Sequence, residues 1–210
     1  MSKGLFISLE GSDGAGKSTQ IEYVKKFFEQ KGITPIMTRE PGGTAISEKL
    51  REILLDKENA AMNPVTEMLI YAAARAQIVS ELIKPALEAG EVIICDRFVD
   101  SSIAYQAYGR KLGDMVEKVN AYAVDDTLPD MTIFLDLDPE IGKARVGERG
   151  ESDRLELEKM DFHYRVYNGY KAVAAANPER IQVIDANRSI EEIRDDIYSR
   201  LEKLCEDKGI

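Results

Sequence analysis

The sequence has few of the residues that build metal clusters or disulfide frameworks. Its 210 residues include two cysteines, Cys95 and Cys205, and one histidine, His163. Cys95 lies in the apolar stretch VIICD, which predicts a buried, inert thiol rather than a disulfide or a metal ligand. This scarcity argues against a zinc or iron site.

Long apolar runs and an excess of positive charge are also missing. No apolar run approaches the roughly 20 residues of a membrane-spanning helix, and the first one is too short for a signal peptide. The formal net charge of -10 argues against a broad nucleic-acid or membrane surface, although a local arginine cluster can still hold a small anion. We therefore expect a cytoplasmic protein that binds neither nucleic acid nor membrane.

Short apolar runs alternate with amphipathic stretches along the chain. The runs have the length and branched residues of buried strands, at 5–9, 33–37, 91–95, 132–137 and 181–184. The stretches between them are predicted helices, at about 17–31, 45–55, 63–90, 101–125, 139–148, 155–176 and 189–205. Within the third of these, Pro85 is expected to kink or break the helix.

This alternation predicts βαβ units and therefore an α/β fold. We expect a five-stranded, mainly parallel sheet flanked by helices on both faces. The sequence shows no linker or internal repeat, which indicates a single domain over residues 1–210. The charged stretch at about 145–155 is a candidate mobile lid.

The motif GSDGAGKST follows the first predicted strand and precedes the first predicted helix. From Gly11 to Ser18 it matches G-x-x-x-x-G-K-[ST], the phosphate-binding P-loop, with both flanks correct. Backbone N–H groups would hold phosphate, Lys17 would reach the β- and γ-phosphates, and Ser18 would ligate Mg²⁺. The predicted nucleotide-binding residues are Gly11, Ser12, Asp13, Gly14, Ala15, Gly16, Lys17, Ser18 and Thr19. The alternative is a glycine-rich turn that happens to carry Lys-Ser.

Charged residues follow two further strands. Asp96 and Arg97 end the third strand, at the edge of the sheet where open α/β folds bind ligands. Asp96 suits Mg²⁺ and Arg97 suits a second phosphate, unless they are an ordinary charged strand end. Arg39 follows the second strand in the same way, just before the tight turn PGG, and is another phosphate-binding candidate.

The candidate lid contains three arginines: Arg145, Arg149 and Arg154. Phosphoryl transfer needs positive charge close to the negatively charged group that is transferred. Arginines on a closing flap supply this charge and also exclude water. A solvated loop in which these arginines pair with neighbouring carboxylates is the alternative reading of the same residues.

Several of these stretches together resemble the thymidylate kinase family, a branch of the nucleoside monophosphate kinases. They are FISLEGSDGAGKSTQ, TREPGGTAISEKLR, YAAARAQIVSELIKPAL, CDRFVDSSIAYQ and ERGESDRLE, in the family's order over about residues 5–165. The resemblance implies a P-loop NTPase fold with a small lid and a homodimer. It also implies that Mg-ATP is the phosphoryl donor and dTMP the acceptor, in dTTP biosynthesis.

The resemblance assigns roles to the acceptor site. Arg39 and Arg97 match the pair that holds the acceptor phosphate, and Asp13 matches the carboxylate that faces its sugar. Tyr71 and Arg75 match the base-reading pair, with Tyr71 standing where the family usually has phenylalanine. The residues that match the segment around the base and the 2′ side of the sugar are Ser101, Ser102, Tyr105 and Gln106.

The family carries its catalytic arginine either in the P-loop or in the lid. Gly14 stands at the P-loop position, so the resemblance favours the lid, with Arg149 as first candidate and Arg154 as its partner. It also implies that the Glu40–Pro41 bond is cis. The predicted catalytic residues are Asp13, Lys17, Arg97, Arg149 and Arg154, and the predicted metal ligands are Ser18 and Asp96.

Two other functions remain open. The same fold could phosphorylate a different nucleoside monophosphate or a nucleoside, although the Arg39–Arg97 pair argues against an acceptor without phosphate. The chain could instead be a P-loop binding module that regulates a partner. Arginines in three separate loops weaken that reading, because such a module gains little from a second phosphate site.

Overall fold

A computed structural model of the chain describes residues 4–147 and 154–210. In these residues five parallel strands form one sheet, in the order β2-β3-β1-β4-β5. The strands are β1 (Leu5–Glu10), β2 (Ile36–Arg39), β3 (Val92–Asp96), β4 (Met131–Asp136) and β5 (Ile181–Asp185). The predicted α/β architecture is confirmed, and the described sheet is wholly rather than mainly parallel.

The position of each strand in the sheet explains its composition. Central β1 is buried along its whole length, which fits its continuous apolar run, because helices cover both faces of a parallel sheet. Edge strand β2 alternates between half-buried and exposed residues. The sequence predicted β2 at 33–37, but it begins at Ile36, since Pro35 precedes it and the Ile33 N–H instead donates to Phe28 O at the end of the first helix.

Helices cover both faces of the sheet. They are α1 (Lys17–Gln30), α2 (Ala45–Leu55), α3 (Pro64–Ile78), α4 (Lys84–Glu88), α5 (Val99–Ser102), α6 (Met115–Val124), α7 (Pro139–Gly147), α8 (Met160–Ala176) and α9 (Ile190–Lys208). One face packs on α1 and α9, and the other on α3, α4 and α8. No helix in the described ranges combines the length and apolar character needed to cross a membrane.

Two predicted long helices are interrupted by π-helical segments. Between α3 and α4 the helical path continues through Val79–Ile83, and Pro85 lies just beyond it at the start of α4. A widened turn ahead of a proline accommodates its ring and its missing N–H donor, so the helical path continues past Pro85 instead of breaking there, while a kink at this point stays a prediction. The predicted helix at 101–125 is likewise divided into α5, the π-helical segment Ile103–Gly109 and α6.

Left-handed residues separate this π-helical segment from α6. Lys111 and Gly113 both have φ +61°, in the turn between Gly109 and the start of α6. Gly109 packs so closely on Phe162 and Val166 of α8 that a Cβ would lie 2.8 Å and 2.9 Å from their side chains. Another predicted helix, at 155–176, is shorter than expected, because α8 begins only at Met160.

The register of the sheet brings the predicted loops together. Leu9 and Arg39 both pair with Asp96, so β1, β2 and β3 end at the same edge. The P-loop, the turn after Arg39 and the Arg97 loop therefore emerge side by side, as ligand-binding loops do in open α/β sheets.

Candidate active site

A cavity of about 300 Å³ opens at this edge, between the P-loop, α3 and the π-helical segment Ile103–Gly109. Most of the predicted site residues line it: Asp13, Gly14, Gly16, Lys17, Ser18, Thr19, Tyr71, Arg75, Asp96, Arg97, Ser101, Ser102, Tyr105 and Gln106. Sequence reasoning did not select several others: Glu40, Arg51, Leu55, Phe98, Leu155 and Glu156. The remaining P-loop residues, Gly11, Ser12 and Ala15, are buried or nearly so.

The P-loop packs against α7 through two glycines. Gly14 has φ +79°, and a Cβ there would lie 2.2 Å from the carbonyl oxygen of Gly142. A Cβ on Gly142 would in turn lie 2.4 Å from the Asp13 carbonyl oxygen. Glycine at both positions therefore lets the loop and the helix approach backbone to backbone.

Lys17 points back into the P-loop. Its Nζ donates to Gly11 O at 2.9 Å and to Ser12 O at 3.2 Å. Burial, with a contribution from the charge of Arg97, lowers the pKa of Lys17 to about 8. A bound phosphate would pair with this buried amine and favour its charged form.

Asp13 and Arg97 form an ion pair that joins the P-loop to the loop after β3. Arg97 Nη2 donates to Asp13 Oδ1 at 2.6 Å, and the Tyr105 hydroxyl donates to Asp13 Oδ2 at 3.2 Å. Burial alone would raise the pKa of Asp13, but the charges of Arg97 and Lys17 outweigh it and keep that pKa below its usual value. Arg97 itself has φ +66°, a strained conformation for a non-glycine residue that is common at functional sites.

Arg75 is 1% exposed and is held on several sides. Its Nε donates to Glu40 Oε2 at 2.7 Å, and its Nη1 donates to Ser102 Oγ at 2.9 Å and to Asn120 Oδ1. Its Nη2 donates to Phe98 O at 3.3 Å. Burial raises the pKa of Glu40 to about 7 even though Arg75 opposes the shift.

The other predicted base-site residues surround Arg75. Tyr71 lies one turn earlier on α3 and lines the same cavity. Gln106 points its amide at Glu67, with Nε2 3.0 Å from Oε1. The Glu40–Pro41 bond is cis, which confirms that expectation.

Ser18 and Asp96 both line the main cavity and a second concavity beside it. Asp96 Oδ1 is buried and has no hydrogen-bond partner among the described residues. Those residues also contain no cluster of three His, Cys, Asp or Glu side chains that could hold a metal alone. An unpartnered carboxylate oxygen beside a P-loop serine fits Mg²⁺, which takes one or two protein ligands and completes its shell with phosphate and water.

A family model described as thymidylate kinase matches residues 9–197 of the chain. The chain belongs to the thymidylate kinase family. The thymidylate kinase of Exiguobacterium sp. is 46% identical to it over 208 residues, covering 99% of this chain and 98% of that protein. The thymidylate kinase of Lactobacillus delbrueckii subsp. bulgaricus is 51% identical over 195 residues, covering 91% and 92%.

A solved structure shows the same fold. The crystal structure of thymidylate kinase from Ehrlichia chaffeensis is 30% identical in sequence and superposes with a TM-score of 0.76, covering 95% of this chain and 99% of that chain. This likeness confirms the predicted P-loop NTPase fold. Membership of the thymidylate kinase family makes the protein an enzyme, an ATP-dependent nucleoside monophosphate kinase.

Arg39 lies apart from the other acceptor-site residues predicted for a thymidylate kinase. Its half-exposed side chain pairs with Glu48 at 3.0 Å and lines the second concavity. Arg51, which the sequence analysis did not select, lines the main cavity instead and donates from Nη1 to Pro41 O at 2.8 Å. A contact between Arg39 and the acceptor phosphate therefore stays a prediction.

The three arginines predicted for the lid occupy different places. Arg149 lies outside the described residues. Arg154 is buried, forms an ion pair with Glu67 at 2.7 Å and donates to Leu54 O at 2.9 Å. Arg145 Nη1 lies 3.4 Å from the carbonyl oxygen of Gly14. Among the lid arginines with described side chains, Arg145 thus contacts the P-loop and Arg154 contacts α3, so catalytic roles for Arg149 and Arg154 stay predictions.

Three buried polar residues around the site escaped sequence reasoning. Glu10 ends β1, and a carboxylate closing a fully buried strand was an available signal. Asn120 on α6 and Tyr170 on α8 contact Arg75 and Arg97 from distant parts of the chain. Neither has a local pattern that distinguishes it from an ordinary helix residue.

Proposed function

We propose that this enzyme transfers the γ-phosphoryl group of ATP to dTMP, giving ADP and dTDP for dTTP synthesis. The observation that carries the proposal is the Asp13–Arg97 ion pair at 2.6 Å. It holds a phosphate-binding cation directly beside the P-loop, so donor and acceptor phosphates would share one cavity. The names of the similar proteins support thymidylate as the acceptor.

The P-loop forms the donor half of the site. Its backbone N–H groups and the N-terminus of α1 bind the ATP phosphates, with Lys17 between them. Ser18 and Asp96 would hold Mg²⁺, which neutralises phosphate charge when it is bound.

Arg97 and Asp13 form the acceptor half. Arg97 binds the dTMP phosphate and aligns its oxygen with the γ-phosphate, while Asp13 and the Tyr105 hydroxyl that contacts it face the sugar. Holding two reactants in line removes most of the entropic barrier, so no covalent intermediate is needed. Arg39 and the lid arginines Arg149 and Arg154 would add positive charge around the moving group.

Arg75 and Tyr71 read the base. A guanidinium has five N–H donors, and the described contacts of Arg75 use four, leaving one on Nη2 for a carbonyl oxygen of thymine. Tyr71 stacks on the pyrimidine ring. Ser102 and Gln106 complete the pocket on the base and sugar side.

We further propose that the enzyme works as a homodimer in the reducing cytoplasm. Helices α3 and α6, joined by the Arg75–Asn120 hydrogen bond, carry large exposed apolar side chains, among them Leu69 at 50% and Tyr122 at 88% exposure. Exposed apolar surface of this kind favours association. Both cysteines are buried and free, as a reducing compartment allows. Light scattering during size-exclusion chromatography should give twice the chain mass.

The acceptor assignment is tested by measuring ADP formation from Mg-ATP with dTMP, dUMP, UMP, dCMP, AMP and GMP in turn. We expect strong turnover with dTMP, weaker turnover with dUMP and little with the others. Preference for another monophosphate would retain the kinase and overturn thymine reading by Tyr71 and Arg75. ATP binding without turnover on any acceptor would favour a binding module.

A further inference from the structure

A buried polar cluster lies next to Arg97. It comprises Glu10 at the end of β1, Ser101 on α5 and Tyr170 on α8. Ser101 lines the cavity, whereas Glu10 and Tyr170 are 0% and 2% exposed. Three elements that are distant in the sequence therefore converge on one arginine.

Tyr170 contacts Arg97 directly. Arg97 Nη1 donates to the Tyr170 hydroxyl oxygen at 2.9 Å, and that hydroxyl lies 3.1 Å from Glu10 Oε2 and 2.8 Å from Ser101 Oγ. A phenol has one proton, so a hydroxyl that accepts from Arg97 can donate its own proton to Glu10. The ring is fixed as well, because it stacks on Phe134 with centroids 5.1 Å apart.

Glu10 is the final acceptor of this cluster. Its Oε2 accepts from Ser101 Oγ at 2.6 Å as well as from Tyr170, and its Oε1 accepts from the Phe98 N–H at 2.7 Å. A buried carboxylate lowers protein stability unless its oxygens are bonded in this way. The hydroxyls of Ser101 and Tyr170 connect its carboxyl group to the guanidinium of Arg97.

The backbone around Arg97 is held by the same carboxylate. Arg97 has φ +66°, and a strained residue keeps such a conformation only when its surroundings determine it. The Arg97 N–H donates to Leu9 O at 2.9 Å, and the next N–H, of Phe98, donates to Glu10. Glu10 therefore holds the Arg97 side chain through Tyr170 and the Arg97 backbone through the Phe98 N–H.

We propose that Glu10 and Tyr170 are positioning residues that fix the Arg97 guanidinium for the acceptor phosphate. This proposal rests on the role given to Arg97 under the proposed function. Neither residue touches the substrate. Their effect falls on acceptor binding and on the alignment of the acceptor phosphate, and it leaves binding of ATP at the P-loop largely unchanged.

The test measures dissociation constants of dTMP and of Mg-ATP separately, by titration calorimetry on the full chain, together with kcat. Tyr170→Phe keeps the stacked ring and removes only the hydroxyl, and Glu10→Gln keeps the shape and removes the charge. The matched control is Tyr198→Phe, because the Tyr198 hydroxyl donates to Tyr23 O at 2.9 Å between α9 and α1, away from the cavity. Circular dichroism establishes that each variant is folded.

We expect Tyr170→Phe to raise the dTMP dissociation constant about tenfold, the size expected for a lost hydrogen bond to a charged group. Glu10→Gln should raise it severalfold, and the double variant should raise it no further than the larger single change, since both act on one network. The dissociation constant of Mg-ATP should change less than twofold in all three variants. Tyr198→Phe should leave both constants unchanged.

Arg97→Gln separates the two ways in which the proposal can fail. If it weakens dTMP binding strongly while Tyr170→Phe and Glu10→Gln match the unchanged enzyme, the positioning role is wrong and the role of Arg97 stands. If Arg97→Gln leaves dTMP binding intact, the assignment of Arg97 falls and the positioning role falls with it. Equal weakening of dTMP and ATP by Tyr170→Phe would mean a general structural role. Should Glu10→Gln fail to fold, Tyr170→Phe alone decides.

Discussion

Arg75 shows how a residue type that is usually exposed is held inside the protein at the cavity. Four of its donors are already used by buried acceptors, so its orientation is fixed before any ligand binds. The sequence resemblance pointed to this residue, but its partner Asn120 could be identified only from the structure. Preorganised donors of this kind lower the entropy that binding must otherwise supply.

We expect Arg75→Lys to raise KM for dTMP more than tenfold with little change in KM for ATP, because an ammonium cannot reproduce the planar fork. The variant should also unfold more easily, since one ammonium cannot bond all four buried acceptors of the guanidinium, and each acceptor left unbonded costs about 1–3 kcal/mol. Arg165→Lys is the control, as Arg165 donates from Nε to Gly109 O away from Arg75. Equal effects of the two substitutions on dTMP KM would contradict base reading by Arg75.

Glu10 should leave a signature in the pH dependence of stability. Burial, followed by the charge of Asp100, raises its pKa from 4.5 to about 7, against hydrogen bonding by Ser101 and the charge of Arg97. The folded state therefore keeps a proton that the unfolded state releases. Its contribution to stability is fully present below pH 4.5 and is lost as pH rises to about 7.

Glu10→Gln removes this proton-linked contribution. The unfolding free energy of the unchanged protein minus that of Glu10→Gln should fall by roughly 1–3 kcal/mol between about pH 4.5 and 7. Urea unfolding of both proteins across that range measures the difference. If this free-energy difference stays constant or rises with pH, the pKa of the Glu10 carboxyl is not raised in the folded protein.

At the scale of elements, α7 and the P-loop depend on the contact between Gly14 and Gly142. We expect Gly142→Ala to lower kcat/KM for ATP at least tenfold, because its Cβ would lie 2.4 Å from Asp13 O and force the loop to move. Lys143→Ala, an exposed position on the same helix, is the control and should behave like the unchanged enzyme. An unchanged kcat/KM for ATP in Gly142→Ala would contradict this prediction and show that ATP use does not depend on the close contact between α7 and the P-loop.

The elements themselves were largely predictable, but their interruptions were not. Apolar runs overlapped each of the described strands and matched β1, β3 and β4 best, because these strands are almost wholly buried and carry continuous apolar runs, whereas edge strand β2 begins three residues later than predicted. The π-helical segment Ile103–Gly109 could not be foreseen, and it packs on α8 through contacts such as that of Gly109 with Phe162. Contacts between distant elements leave no periodic signal in the sequence.

At the scale of the whole molecule, Glu67 joins α3 to the segment that follows the lid. This fully buried carboxylate pairs with Arg110 at 2.9 Å and Arg154 at 2.7 Å and accepts from Gln106 at 3.0 Å. Burial opposes its ionisation, yet hydrogen bonds from Arg110 and Gln106 keep the pKa of Glu67 below its usual value. Gln106 of this cluster also lines the cavity.

Glu67→Gln should therefore destabilise the protein by about 3–5 kcal/mol, because it removes the carboxylate that pairs with the buried Arg154 and one of the two that pair with Arg110. Urea unfolding at pH 7 measures the loss. Glu22→Gln, at an exposed position on α1, should change stability by less than about 0.5 kcal/mol. A small effect of Glu67→Gln would show that water or neighbouring groups replace the pair.

The site was predictable to the extent that motifs define it. The P-loop, Asp96 and Arg97 follow from local patterns at strand ends, and the family resemblance added Tyr71 and Arg75. The buried polar network behind them was not predictable, because Glu10, Tyr170 and Asn120 act through contacts formed only after folding.

The most direct test of the account is the fate of the γ-phosphoryl group. The enzyme is incubated with Mg-ATP labelled at the γ-phosphate and with dTMP, and the products are separated and quantified. We expect the label in dTDP, with one ADP formed for each dTDP. Label released as inorganic phosphate, or ADP formed without dTDP, would contradict phosphoryl transfer to dTMP at the Arg97 site.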